Sequence, residues 1–389
     1  MISLLFLSGL SIIYTTKIPD AEIRSGYILK GEPRIYPKKF FTAEEYGRIK
    51  GSGFFPVLEK GPKCKEGFWY RIGTDAWICS GWFIPSRSNP GGNFNWSKGF
   101  NPGRYYKARQ NRTEIYPTLG HLNAGKPRRL RLLRGFLPVE TIFIGNFPWY
   151  RLFENGYVHS NAVEPWPVSA NRSISVKNKE LPLLFTSGKK EIPIYRKAGK
   201  NWKETGKIPT YSIRSVKTVI NDWVLLKAPK DTWIKREDVN IAFKLPVFNP
   251  EVKPDENWID VNLKENIVYA VKGQNVVRVF LVAASDETPI GTYRIYWKKV
   301  WKTFDRQRQK EAYFLETVPF ILYFKESYAF HGAYWHDDFG RIKTHGCINL
   351  SIPDAKWLFN FASPNLPDGW FSLKSSNTTS GTLVRIRRN

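Results

Sequence analysis

The sequence predicts a mainly β protein made of three small modules followed by a larger β-rich C-terminal domain with one short helix. Three observations lead there. Aromatic residues are abundant, with 15 Trp, 19 Tyr and 26 Phe in 389 residues, and such side chains favour short strands over long helices. A motif recurs three times within the first 245 residues. Beyond residue 250 the texture changes to alternating strands that lead into a cluster of histidines around a single cysteine. The boundaries expected are 1–24 for an apolar leader, 25–87, 104–166 and 181–245 for the modules, 250–375 for the C-terminal domain and 376–389 for a basic tail.

The repeat is read from paired landmarks. Ile-Tyr occurs at Ile35-Tyr36, Ile115-Tyr116 and Ile194-Tyr195, and each pair is followed about thirty residues later by a tryptophan, Trp69, Trp149 and Trp223. The three later segments read WYRIGTDAWICSGWF, WYRLFENGYVHSNAV and WVLLKAPKDTWIKREDV. Each is an aromatic and aliphatic run, a polar turn and a second such run, which describes a hairpin. The turns fall at Gly73-Thr74-Asp75, Glu154-Asn155-Gly156 and Pro229-Lys230-Asp231, residues that tolerate or preset turn dihedrals. Glycine-, proline- and polar-rich joints at 86–103 and 165–180 separate the copies. A strand-and-hairpin unit of this size resembles the bacterial SH3-like small barrel. The resemblance implies three such barrels and, by fold-level analogy, binding to peptidoglycan. The plainer alternative is that the aromatics fill a small-barrel core and the lysines form a solvated face.

Charge divides the chain in the same way. The formal net charge is +26, and residues 1–245 hold +22 of it, whereas 246–375 come to +1 and the last fourteen residues to +3. An anionic partner is expected for the basic part: a wall polymer, an anionic lipid surface or nucleic acid. The cluster KPRRLRLLR at 126–134 alternates with leucines and reads as the outer face of a strand, so a wall polymer or a lipid surface is favoured and nucleic acid is not expected. The basic part and the chemical part look separable. Cys64 and Cys79 lie in one β-rich stretch and can pair in an oxidising compartment, with two solitary buried cysteines as the alternative; Cys347 stands alone. The opening MISLLFLSGLSII has the length of a signal-peptide core and is too short to span a bilayer as a helix, which supports export, although a buried first strand fits the same residues.

In the C-terminal domain, strands are expected at 258–263, 266–271 and 276–283, a polar insertion at 305–311 and a return to apolar strand at 318–324. The sheet then delivers AFHGAYWHDDFGRIKTHGCINLS, residues 329–351. An unperturbed thiol ionises near pH 8.5, so a nucleophilic cysteine needs a base or cation beside it. His345 would share a side of an extended strand with Cys347, whereas His331 needs the intervening loop to double back. Gly346 removes a side chain where a scissile carbonyl must approach, and the amides of His345, Gly346 and Cys347 are candidates for an oxyanion hole. A helix at 354–361 would place its positive end near the thiol.

The run Thr344-His345-Gly346-Cys347-Ile348-Asn349, with His331-Gly332 sixteen residues before the cysteine, resembles the signature of the L,D-transpeptidase catalytic domain (YkuD-like). The resemblance covers about residues 250–370. It implies Cys347 as nucleophile, His331 as proton donor and acceptor, Gly332 supplying a main-chain carbonyl that fixes the histidine tautomer, and Thr344, His345, Gly346 and Asn349 completing the site. Trp335 stands where some relatives place an aromatic wall. His336 lies outside the pattern and is expected on the loop surface. The implied substrate is a tetrapeptide stem of peptidoglycan: the thiolate attacks the third residue's carbonyl, D-alanine leaves, and an amine of a second stem or of an envelope protein resolves the thioester. No cofactor and no metal are implied. The insertion between Lys298 and Phe314 reads either as a lid over the cleft or as a surface hairpin. The resemblance also implies a bacterial periplasm or cell envelope.

Cys347, His331, His336, His345 and Asp337-Asp338 are all zinc-ligand types, but their spacing matches no usual zinc motif. L,D-carboxypeptidase trimming of stems, or a wall-binding protein with a vestigial catalytic domain, would retain the same architecture.

Overall fold

The computed structural model describes residues 22–388 apart from 29–30, 42–43, 51–53, 89–99, 111–112, 131–132, 155, 246–251 and 306–311. Before residue 22 it describes only the backbone of Leu4–Leu7 and Leu10–Ile13, so the leader expected at 1–24 lies almost wholly outside the described residues. No helix among them is long and apolar enough to cross a membrane. The chain forms two compact units, one of residues up to Phe100 with Leu366–Ser376, the other of Asn101–Asn365 with the residues from Asn377 onward.

In the second unit the C-terminal fold begins with β1 (Asn257–Asn262), β2 (Ile267–Lys272) and β3 (Asn275–Leu281), an antiparallel meander. It continues through β4 (Gly291–Arg294), β5 (Trp297–Asp305), β6 (Tyr313–Lys325), β7 (Tyr328–Gly332), β8 (Ile348–Leu350), the helix α1 (Ile352–Phe361) and β9 (Leu383–Arg387). One sheet runs β3-β2-β1-β9-β4 with a short strand, Ile174–Ser175, on the edge of β3. The other carries β5 to β8, with β5-β6 and β6-β7 antiparallel and β7-β8 parallel. Asp260 and the apolar residues of β1 and β2 are buried on both faces, which is why these strands read as nearly continuous apolar runs.

The basic tail expected at 376–389 is corrected by this arrangement. Leu383, Val384 and Ile386 are buried, and β9 runs parallel to β1 inside the sheet. Its arginines are charged for a structural reason: Arg385 and Arg387 both reach the fully buried Asp260, Arg387 at 2.8 Å. A buried carboxylate needs such partners, and removing one would leave an uncompensated charge.

The threefold repeat appears as one topology written three times. In each copy a first strand (Ser25–Tyr27, Tyr106–Ala108, Leu183–Thr186) pairs with the last strand (Ile84–Ser86, Val163–Pro165, Val239–Ala242) and with a middle strand. A one-turn 3₁₀ helix (Ser80–Trp82, Ser160–Ala162, Arg236–Asp238) precedes the last strand each time. The tyrosine of each Ile-Tyr pair meets its tryptophan edge to face: Tyr36–Trp69 at 5.6 Å, Tyr116–Trp149 at 5.5 Å and Tyr195–Trp223 at 5.2 Å. The same tyrosine bridges by backbone to a third aromatic, Trp77, Tyr157 or Trp233. The periodic landmarks are therefore one tyrosine–tryptophan contact, with a third aromatic at the same backbone position beside the tyrosine. Asp75 and Asp231 adopt φ of 50° and 56° at their turns, as the turn chemistry expects. Cys64 and Cys79 of the first copy are joined by a disulfide.

The second and third copies are not separable from the chemical part, contrary to what the charge division suggests. Leu133–Phe136 of the second copy lies parallel to β6 in the same sheet. Leu183, Phe185 and Ala242 of the third share one apolar core with Trp258, Tyr269, Leu281 and Phe339. Apolar faces of two half-covered sheets bury each other, and charge on the opposite faces says nothing about that contact.

Candidate active site

The parallel pairing of β7 with β8 sets His331 opposite Asn349, two residues beyond Cys347. Because β7 leaves β6 by a tight turn at Glu326, whose φ is 44°, the chain returns beside itself and then needs the 333–347 loop to come back in parallel. That loop is the doubling-back that a base sixteen residues before the thiol requires. Cys347 is half-buried, with Sγ 3.7 Å from the Ser327 carbonyl oxygen. It lines a cleft of about 1010 Å³ together with His331, Trp335, His336, Thr344, His345 and Asn349.

His331 is buried and packs edge to face on Phe304. Its Nδ1 lies 3.3 Å from the Gly332 carbonyl, so the ring donates there and Nε2 is left as the acceptor. Burial pushes its pKa down to about 4, with the nearby His336 lowering it further and the Gly332 bond opposing. The imidazole is therefore neutral at ordinary pH, the state a general base requires.

The turn carrying the cysteine is closed by hydroxyls. Thr344 Oγ1 donates to the Cys347 carbonyl at 2.6 Å and accepts the Gly346 N–H at 3.2 Å, while Thr288 Oγ1 donates to the Gly346 carbonyl at 3.0 Å. Gly346 has φ of 108°, and a Cβ there would lie 2.3 Å from the Tyr328 ring. Backbone conformation and Tyr328 thus require glycine here, and its N–H is engaged within the turn. His345 is exposed at the cleft mouth. The helix begins at Ile352 with Ser351 as its N-cap, directly after β8. Its far end is held by the buried Lys298, whose Nζ donates to the Phe359 and Ala362 carbonyls, both at 2.6 Å. The insertion at 306–311 lies outside the described residues, and its flanks are the paired strands β5 and β6, with Lys302, Thr303, Phe304, Asp305 and Tyr313 on the cleft.

His336, expected on the loop surface, belongs to the site. Its Nδ1 lies 3.2 Å from the Asp338 N–H, and its Nε2 lies 2.9 Å from Asn349 Nδ2. Burial pushes its pKa down to about 4, so the ring carries one proton only. The Asn349 Oδ1 on the other side of that amide is buried without a hydrogen-bond partner. Phe339 and Gly340, an apolar residue and a turn glycine with φ of 88°, are the sequence signal that the loop bends back into the core here. Among the described residues no group of three or more His, Cys, Asp or Glu side chains is placed to hold a metal ion.

Comparison with known proteins agrees with the motif. Residues 256–386 match the model of the L,D-transpeptidase catalytic domain (YkuD). The chain is 29% identical over 137 residues to "Putative L,D-transpeptidase YciB" of Bacillus subtilis (strain 168), a match that covers 31% of this chain and 66% of that protein, just under two thirds. Among solved structures, the L,D-transpeptidase of Xylanimonas cellulosilytica DSM 15894 is 19% identical, covering 36% of this chain and 65% of that one, with a TM-score of 0.26. LdtMt1 in complex with imipenem is 15% identical over 57% of this chain and 93% of that one, with a TM-score of 0.28. Residues 256–386 of this chain therefore carry an L,D-transpeptidase catalytic domain of the YkuD family.

Proposed function

We propose that this protein is an exported cysteine acyltransferase of the bacterial envelope, a peptidoglycan L,D-transpeptidase. The observation that carries the reading is a half-buried thiol and a neutral imidazole, its Nδ1 already committed to Gly332, on one cleft. His331 Nε2 takes the Cys347 proton, and the thiolate adds to the carbonyl of the third stem residue. The C–N bond to D-alanine breaks, the nitrogen receives the proton from His331, and a Cys347 thioester remains. An amine of a second stem or of an envelope protein then attacks the thioester carbonyl and gives a proton to His331; the C–S bond breaks as the new amide forms, and the Cys347 thiolate takes the proton back from His331. Trp335 would wall the cleft, and the SH3-like repeats would hold the wall polymer or an anionic lipid surface with their basic residues.

Incubation with tetrapeptide muropeptides and mass spectrometry of the products tests this. A crosslinked dimer with released D-alanine is expected, and neither with Cys347→Ala. D-alanine release without dimer would make the protein a carboxypeptidase, with water as acceptor. No D-alanine release at all would remove the enzymatic reading and leave the wall-binding one.

A further inference from the structure

We infer that Tyr211, in the third repeat, is a positioning residue for the cysteine site: it pins the 333–343 loop through Asp337, so that Trp335 and His336 stay packed on His331 and Asn349. The inference rests on the acyltransfer reading above.

Tyr211 sits at φ of 54°, in the left-handed region. For a bulky residue this conformation is strained and persists only where the surroundings fix it. The surroundings here are Thr186, a fully buried threonine. Its Oγ1 donates to the Pro209 carbonyl at 2.9 Å and accepts the Ser212 N–H at 2.8 Å, and its own N–H donates to the Ser212 carbonyl at 3.1 Å. The turn at 209–212 is thereby locked from below, and the strained residue points its phenol outward.

The phenol donates toward Asp337, with the main-chain carbonyl at 2.7 Å and Oδ1 at 2.6 Å. Its ring lies against Phe339, 6.5 Å between centroids, and both burial and the Asp337 carboxylate hold its ionisation well above the usual tyrosine range. It is therefore a permanent donor at any pH the protein meets. Two further bonds from the same repeat reach the same loop: Asn240 Nδ2 donates to the Gly340 carbonyl at 3.1 Å, and Lys189 pairs with Asp338 at 3.6 Å.

What Asp337 anchors is the piece of chain that the chemistry uses. On one side of it His336 is fixed against Asn349, and Trp335 lies 5.7 Å from the His331 ring. On the other, Asp338 gives its N–H to His336. A displacement of the loop by an ångström at Asp337 would move the Trp335 contact on the base and the His336 contact on Asn349 together, and misplacements of that size can cost up to about a hundredfold in rate. Gly188 shows how closely the joint is fitted. A Cβ on it would stand 2.0 Å from the Tyr211 hydroxyl and 2.6 Å from the Asp337 carbonyl oxygen, without any backbone strain of its own.

Two variants of the full chain therefore attack one joint from different strands. Tyr211→Phe removes the donor and keeps the ring on Phe339, and Gly188→Ala wedges the partners apart. The probe is imipenem, a carbapenem, the drug class that relatives in the YkuD-like family accept on their cysteine. The thiolate adds to its lactam carbonyl, the ring C–N bond opens and the nitrogen takes up a proton, so intact-mass spectrometry reads the acylation rate. Both variants are expected to be folded by thermal melting, to slow acylation by about tenfold or more, and to shift the acid limb of the pH–rate profile. Wild-type rates and an unshifted profile in both variants would overturn the inference, whatever their melting temperatures. If the wild-type protein itself takes no imipenem, the acyltransfer reading falls instead. Iodoacetamide alkylation of Cys347 against pH then makes the same comparison: a shifted profile in both variants keeps Tyr211 as a positioning residue, and coincident profiles remove it.

Discussion

The first and third repeats share a topology and a tyrosine–tryptophan contact, yet they spend their surfaces differently. In the first, Tyr36, Trp69 and Trp77 are buried, Phe41 covers them, and a disulfide closes the hairpin they stand on. The repeat lies in the first compact unit, where its strand Gly47–Ile49 pairs with Trp370–Lys374 from the C-terminal part of the chain. In the third, Tyr195, Trp223 and Trp233 stay partly exposed, no disulfide is present, and the residues that matter face the 333–343 loop. A small barrel with a stapled core can stand alone, whereas one whose core continues into a neighbouring sheet borrows stability and gives rigidity back. The comparison teaches that one sequence repeat can serve as a stapled barrel with its own aromatic core and as part of a site's frame.

The largest effect should come from a pair of core truncations. Phe185 of the third repeat lies in the core shared with Tyr269, Leu281 and Phe339, and Phe55 of the first packs on Phe83. Phe185→Ala is expected to cost about 3–5 kcal/mol and to lower Cys347 acylation, because Phe339 lies in the loop that carries His336. Phe55→Ala should cost a similar amount in unfolding while acylation stays at the wild-type rate. Equal acylation in both variants would erase the distinction between the repeats. Next in size is the disulfide. The fifteen-residue separation of Cys64 and Cys79 corresponds to about 3 kcal/mol, so a reductant should lower the melting of the first repeat and leave unfolding of the other unit in place. A single transition that moves as a whole would show the two units to be coupled.

Much of this was legible beforehand, and for identifiable reasons. Ile35-Tyr36, Ile115-Tyr116 and Ile194-Tyr195 revealed the repeat because one packing contact, tyrosine edge on tryptophan, has the same residue requirements each time. That Cys347 and His331 share one cleft, with the Gly332 carbonyl beside the imidazole, was legible because the motif that suggests the pairing is local in sequence. Other features were hidden by distance along the chain. Arg385 and Arg387 read as a tail because their partner, Asp260, is about 125 residues away, and a charge pattern carries no record of its counter-ion. Tyr211 was invisible because its role depends on a left-handed turn made by Thr186, twenty-five residues earlier, and on a carbonyl rather than a side chain.

Acid should also separate the units, since His331 lies in the second. Its folded pKa is about 4 against about 6.5 for a free imidazole, so between these values the unfolded chain binds the extra proton. Stability from this group is complete above about pH 6.5, declines as pH falls towards 4, and changes no further below that. Between pH 6.5 and 5 the loss is on the order of 2 kcal/mol for a fully realised shift. His331→Gln should flatten that part of the dependence in denaturant titrations. An unchanged slope in the variant would assign the acid sensitivity elsewhere, with His336 the next residue to test.

The smallest effect concerns the outer aromatics, and it asks whether the exposed face of the third repeat serves the site at all. Trp202 stacks on Trp223 at 3.8 Å and touches Trp233 at 5.3 Å, in the position where Phe41 lies on Trp69 at 4.8 Å in the first repeat. Each comes from the hairpin that follows the Ile-Tyr pair and covers the tryptophan from outside. Trp202→Ala and Phe41→Ala should each cost about 1 kcal/mol in chemical denaturation, the scale of a half-exposed aromatic contact. Neither should alter the acylation of Cys347, because no described contact links these rings to the 333–343 loop. A fall in acylation with Trp202→Ala alone would extend the site's frame across the third repeat to its outer face. Equal, purely thermodynamic losses would confine that frame to the edge where Tyr211, Asn240 and Lys189 meet the loop.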